Sequence, residues 1–249
     1  MLQPWRSGKI IRLQDETPAT RRFWIEVPEL SRFDFIPGQF VTLDLPIHEK
    51  PNKRWRSYSI ASWPDDSNVF ELIIVRLEEG AGTSYLFNEV TVGATLSFRG
   101  AQGVFILPAV LDKQIFLICT GTGIAPFRSM IHHIKKQQII SKEIYLIFGS
   151  RTKADLLYYD ELKQLEEELP MFNYIPTLSR EQWEGKTGYV HAVYEEICKT
   201  LMQSDDNGMM LPKPARFYLC GWKNMIDEAK LRITALGYDK KSIHLEIYG

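Results

Sequence analysis

The hydrophobic rhythm of the chain changes once, near Leu111, and that change limits the folds open to it more than any other feature. Before it lie six short runs rich in β-branched and aromatic residues: Ile10–Leu13, Phe23–Val27, Phe40–Leu45, Arg56–Ile60, Phe70–Arg76 and Thr95–Phe98. Turn signals such as Thr17-Pro18, Pro37-Gly38 and Pro64-Asp65-Asp66 separate them. Strands at this spacing predict a small antiparallel β-barrel, interrupted by one helix over Thr83–Glu89. After the change, Gln114–Thr120 (QIFLICT) is a continuous apolar run, as a strand buried on both faces requires. Helical and strand patterns then alternate: helix 124–137, strand 144–149, helix 160–168, strand 172–178, helix 190–201, strand 217–220, helix 224–236 and strand 243–247. The alternation predicts a parallel sheet covered on both sides, a Rossmann-like α/β domain. The expected division is a barrel over residues 1–108 and an α/β domain over 109–249, linked at Leu107-Pro108-Ala109. Asp205-Asp206-Asn207-Gly208 is expected to be a surface loop.

A chain of 249 residues that is 45% hydrophobic can bury such cores without disulfides or a structural metal. Its net charge of −1 gives no electrostatic case for nucleic-acid binding. Cys119, Cys198 and Cys220 form no CxxC pair, so no metal or cluster site is expected, and a reducing compartment suits them. No apolar run reaches the roughly 18 residues of a membrane span, and the first residues are charged where a signal peptide would be apolar. The expectation is a cytoplasmic protein. His132 and His133 have no metal partner at suitable spacing and read as packing or surface residues.

Three segments could carry chemistry. Thr120-Gly121-Thr122-Gly123-Ile124-Ala125-Pro126 follows the buried strand and opens a helix, where free backbone N–H groups can meet a pyrophosphate. Pro126 suits the first helical turn. A tight turn without a ligand would look the same, and the segment does not match GxGxxG. In the barrel half, Arg56 and Tyr58 of Arg56-Ser57-Tyr58-Ser59 share one strand face, a cation beside a ring that fits a ligand with a phosphate and a flat ring system, although on the strand alone a half-exposed edge strand with a cation–π or cross-strand contact is the better reading. Gly80-Ala81-Gly82-Thr83-Ser84 precedes the barrel helix, with Thr83 or Ser84 as the expected N-cap if it is an ordinary capped turn. Two phosphate-compatible helix starts, one per domain, favour two dinucleotides over one.

These residues carry a family resemblance. Pro37-Gly38-Gln39-Phe40, Arg56–Ser62 (RSYSIAS), Gly80–Ser84 (GAGTS), Gly121–Pro126 (GTGIAP) and Cys220-Gly221 occur in the order found in the ferredoxin–NADP reductase superfamily, which the chain resembles over nearly its whole length. The resemblance implies an FAD-binding barrel followed by an NAD(P)-binding domain. It implies that Arg56, Ser57, Tyr58 and Ser59 bind the cofactor, with Arg56 on the flavin pyrophosphate, Tyr58 stacked on the isoalloxazine and Ser59 near flavin N5. Gly82, Thr83 and Ser84 would cradle phosphate. Thr120, Gly121, Thr122, Gly123 and Pro126 would form the nicotinamide nucleotide's turn. Cys220 and Gly221 would lie beside the nicotinamide, Glu246 near the flavin edge, and Tyr248 over the flavin, although Gly249 follows it here.

Ser179-Arg180 resembles the pair that meets a 2′-phosphate in NADP-using relatives, with Arg151 a further candidate, so NADPH is the expected reductant and NADH the alternative. The implied function is exchange of a hydride with the nicotinamide and of single electrons with a ferredoxin or flavodoxin-type carrier. The alternatives are an NADH-dependent reductase component of an oxygenase system, a flavin-binding relay subunit of a larger complex, and a reductase of free flavin. Lys53, Arg54 and Arg99 could supply a basic rim for an acidic carrier. The resemblance favours a monomer.

Overall fold

Period-two alternation in the first hundred residues resolves into six antiparallel strands: β1 (Trp5–Thr17), β2 (Thr20–Glu26), β3 (Phe40–Asp44), β4 (Trp55–Ser59), β5 (Val69–Val75) and β6 (Thr95–Gln102). Two helices accompany them, α1 (Pro51–Arg54) and α2 (Ala81–Asn88). The computed structural model describes residues 3–204 and 207–248. The sheet order is β4-β3-β6-β1-β2-β5, and an antiparallel bridge between Ile60 and Leu72 brings its two ends together. Ala61 N–H donates to Glu71 O at 2.8 Å beside that bridge. Closure leaves no long unpaired edge. On β6, Leu96 and Phe98 point into the core while Thr95 and Ser97 are exposed, as the pleat dictates. The core is aromatic at its centre, with Phe33, Phe70 and Phe98 in mutual contact.

Helix α2 starts two residues earlier than the sequence suggests, which corrects the expected cap. Gly80 is the N-cap, in extended backbone and with no side-chain cap. The turn that returns Gly80 N–H to Leu77 O already aims the chain into the helix. Thr83 therefore falls inside the first turn, where its hydroxyl donates to Gly80 O (3.1 Å) and accepts from Leu77 N–H (3.1 Å).

The second rhythm gives β7 (Gln114–Thr120), α3 (Ile124–Gln137), β8 (Ile144–Ser150), α4 (Tyr159–Glu168), β9 (Phe172–Leu178), β10 (Lys186–Thr187) and α5 (Val190–Thr200). It continues through β11 (Met202–Ser204), β12 (Met210–Pro212), β13 (Ala215–Trp222), α6 (Lys223–Ala235) and β14 (Ile243–Tyr248). The sheet β10-β9-β8-β7-β13-β14 is parallel throughout. Strand order reverses between β7 and β13, so the crevice at the carboxyl ends of those two strands is the topological switch point. One face of the sheet buries Phe116, Ile118, Phe217 and Leu219 with Val193, Ile226 and Ile233 of α5 and α6.

The chain divides into two compact units. One comprises the residues through Leu107 together with Ala125–Gln137, which is α3 without its first residue; the other comprises Pro108–Ile124 and the chain from Gln138. Of the expected loop at 205–208, Asp205 and Asp206 lie outside the described residues, and Asn207 and Gly208 are exposed between the antiparallel strands β11 and β12. Strand β10 escapes sequence reading because its two residues are exposed and polar. Among the described residues, no helix is long and apolar enough to cross a membrane.

Candidate functional site

In the barrel unit, register pairs Leu43 with Arg56 and Val41 with Tyr58, so both β4 side chains share the face of those core residues. The Arg56 side chain runs across Gly82: a Cβ on that glycine would lie 3.1 Å from Arg56 Cγ and 3.2 Å from Nε. The guanidinium donates only to the backbone carbonyls of Lys53 (3.0 Å) and Trp55 (2.9 Å), and no carboxylate pairs with it among the described residues. A cation without a counter-charge thus lies against the first turn of α2, whose amides lack intrahelical acceptors. That is the donor set a pyrophosphate needs. Thr83, with its hydroxyl committed to Gly80 and Leu77, shapes this turn, and Ser84 is half-buried one residue on.

Tyr58 is largely buried, and burial pushes its phenol up to about 12, with the Arg56 charge pulling the other way. The ring therefore stays neutral and available for stacking across the physiological range. Ser57 faces the other side of β4, with its Oγ 3.0 Å from Thr42 Oγ1, and Ser59 is buried at the strand's end.

In the second unit the switch-point crevice is built by residues that lack side chains. Gly121 has φ +53° and open space where a Cβ would stand. Gly123 allows a close approach: a Cβ there would lie 2.3 Å from Cys220 O. Gly221 has φ +153°, and its Cβ would meet Thr120 Oγ1 at 2.7 Å. Thr120 Oγ1 is itself buried with no hydrogen-bond partner among the described residues, as expected of a group that pairs with a ligand. Pro126 sits in the first turn of α3.

Tyr248 closes this crevice. Cys220 S–H donates to Tyr248 Oη at 3.0 Å, and the phenol donates to Thr122 O at 3.0 Å. Burial and then the adjacent Cys220 hold the phenol well above its ordinary range. Burial, then Glu246, does the same to the Cys220 thiol, against the opposing bond to Tyr248. A thiol held in this way stays protonated near neutral pH, which disfavours nucleophilic chemistry at Cys220. Glu246 is the register partner of Cys220 and shares a face of β14 with Tyr248. Trp222, the partner of Tyr248, is half-exposed at the start of α6.

A third cluster lies beyond β8 and β9. A cavity of about 360 Å³ is lined by Leu178, Ser179, Arg180, Glu181, Gln182, Thr187 and Gly188. Ser179 N–H donates to Ser150 O and Arg180 N–H to Arg151 O, both at 3.0 Å, which sets the two arginines side by side. Nearby lysines are neutralised, Lys153 by Glu184 at 2.8 Å and Lys186 by Glu196 at 2.7 Å. Arg151 and Arg180 are exposed and have no carboxylate partner among the described residues. An unpaired guanidinium at a cavity fits an anion, and Arg151 is joined to Arg180 through the backbone. Sequence reading missed Gln182, Thr187 and Gly188. The available signal was Gly188, whose φ of +100° turns the chain just before α5.

The expected basic rim is mostly occupied. Arg54 forms a two-pronged pair with Asp44, and Arg99 lies over the rings of Trp5 and Trp55, leaving Lys53 as the exposed cation of the three. No group of three potential metal ligands exists among the described residues.

Residues 7–106 match the family model of the oxidoreductase FAD-binding domain and residues 117–230 that of the oxidoreductase NAD-binding domain. The chain is 32% identical over 244 residues to ferredoxin–NADP reductase B of Sorangium cellulosum, covering 97% of this chain and 96% of the relative. It is also 32% identical over 203 residues to the anthranilate 1,2-dioxygenase electron transfer component of Acinetobacter baylyi, covering 81% of this chain and 54% of that one. Among solved structures, the ferredoxin–NADP+ reductase of Neisseria gonorrhoeae with bound FAD and NADP superposes with a TM-score of 0.78 at 25% identity, covering 98% of each chain.

Proposed function

Because this chain belongs to the ferredoxin–NADP reductase superfamily, with an FAD-binding and an NAD(P)-binding domain in tandem, we propose that it is an NADPH-dependent reductase of a ferredoxin or flavodoxin-type carrier. The observation that carries the choice of NADPH is Arg180, which lines the Ser179 cavity with no carboxylate partner among the described residues, while a backbone hydrogen bond holds Arg151 alongside it. A ribose diol needs no such charge, whereas a 2′-phosphate does.

Bound FAD would supply two-electron exchange with the nicotinamide and one-electron exchange with the carrier. The chain's own residues supply position. Arg56 and the first turn of α2 would hold the flavin pyrophosphate, and Tyr58 the ring. The Gly121–Gly123 turn would take the nucleotide pyrophosphate, and Thr120 Oγ1 would give its buried hydroxyl to the nucleotide. Tyr248 would leave Thr122 and Cys220 as the nicotinamide enters, while Glu246 would carry a proton at the open end of β14. Holding the reacting atoms in contact is chiefly a proximity effect.

The anthranilate dioxygenase component favours a second reading, a reductase that serves an oxygenase. Steady-state reduction of purified ferredoxin and flavodoxin, each coupled to NADPH oxidation, tests the proposal. Turnover of either carrier at several per second supports it. Turnover confined to an oxygenase component moves the chain to the second reading.

A further inference from the structure

Helix α3 grips the chain just downstream of β4 at three successive turns. Arg128, only 4% exposed, donates from Nη1 to Ala61 O at 2.9 Å and to Glu71 Oε2 at 3.1 Å. One turn later the His132 ring stacks on Trp63, with centroids 3.7 Å apart and planes 11° from parallel. A turn beyond that, Lys136 Nζ donates to Pro64 O at 3.0 Å. Spacing of four places the three side chains on one face of the helix. Apart from Glu71 on β5, these partners lie in a single short stretch that begins two residues after Ser59.

Ala61 is fixed through both of its backbone groups, its N–H by Glu71 O and its carbonyl by Arg128. Glu71, 2% exposed, is also held by Arg22 through bonds of 2.7 and 3.1 Å. Burying such a pair is costly, and an apolar pair of similar volume would seal the barrel at least as well. What the charged pair adds is direction.

We infer that Arg128 is a positioning residue of the flavin site. By clamping Ala61 it fixes the backbone that leaves β4, and so the attitude at which Tyr58 and Ser59 present themselves to the flavin. The inference rests on β4 being the flavin strand, as proposed above.

The test is FAD affinity and the visible spectrum of bound flavin in the purified protein, which depend on neither nucleotide preference nor carrier. Arg128→Met should bind FAD at least tenfold more weakly and shift the flavin bands. Arg128→Lys should restore both toward wild type, because one nitrogen serves both acceptors. Should Arg128→Met not fold, Trp63→Leu removes the next grip and leaves the ion pair, with about threefold weaker FAD expected. Unchanged affinity and spectrum in whichever of these folds overturns the inference, as does equal loss in the Lys and Met variants. Arg56→Ala run alongside separates the two claims. If it leaves FAD affinity intact, the strand assignment falls and the clamp with it; if only Arg128→Met is silent, the clamp alone falls.

Discussion

Cys220 and Tyr248 are the first two members of a three-member hydrogen-bond chain, thiol to phenol to the Thr122 carbonyl, each step 3.0 Å. The chain ties the end of β14 to the glycine turn that opens α3. On the proposed placement, a nicotinamide beside Cys220 would compete with the phenol at Thr122 for one place, and the strength of these bonds should then set nucleotide affinity.

Tyr248→Phe removes the hydroxyl that links both partners. A net hydrogen bond is worth about 1 kcal/mol, so NADP+ should bind roughly fivefold more tightly in the variant. Tyr248→Ala, which also removes the ring, should go further. Equilibrium titration of NADP+ checks this, and weaker binding in both variants contradicts the competition.

Arg151 and Arg180 should matter for one nucleotide only. Charge-assisted bonds to phosphate are worth about 1.5–3 kcal/mol, so Arg180→Ala should lower kcat/KM for NADPH by roughly ten- to hundredfold. The value for NADH should stay within about twofold. Parallel losses with both nucleotides would mean that the cavity at Ser179 binds something common to both.

The two glycines of the turn should part company. Gly123→Ala forces a Cβ to within 2.3 Å of Cys220 O, a backbone atom that cannot swing aside, and should cost on the order of 3 kcal/mol or prevent folding. Gly121→Ala meets nothing within 4 Å and pays only for its positive φ, about 1–2 kcal/mol. It should fold and bind nucleotide more weakly. Thermal melts with and without NADP+ distinguish the two.

Those glycines also show how far a sequence carries. GTGIAP after QIFLICT located the strand-to-helix turn at the switch point because buried strands and helix starts leave local marks. Arg56 with Gly82 was half legible. Each segment was visible, but that the arginine crosses the glycine depends on β4 and α2 meeting in space, which no local pattern encodes. The expected Thr83 cap failed for a related reason, since the Leu77–Gly80 turn starts the helix early and draws the hydroxyl inward. Gln182, Thr187 and Gly188 reach their cavity through β10, which is too short and polar to announce itself. Arg128 and Glu71 carry no local mark in the sequence; only the fold buries them together.

His191 offers a check on pH. Its ring is buried against Tyr194, with Nδ1 3.0 Å from the phenol and Glu228 near Nε2. Burial lowers its pKa below the usual 6.5; Glu228 and Glu195 raise it in part, and Arg232 lowers it further. The unfolded chain therefore binds the proton first, so stability is full above about pH 6.5 and falls as pH drops toward the folded value. Tm between pH 7.5 and 5 should fall less steeply in His191→Asn than in wild type. Identical slopes would remove His191 as the cause.

The most direct test of the central claim is anaerobic reduction of the purified, FAD-loaded protein by NADPH and by NADH, followed through the flavin absorbance. Bleaching within seconds by NADPH, at a rate at least tenfold above that with NADH at equal concentration, is the expected result. A protein that retains no FAD, or whose flavin neither nucleotide bleaches, would contradict it.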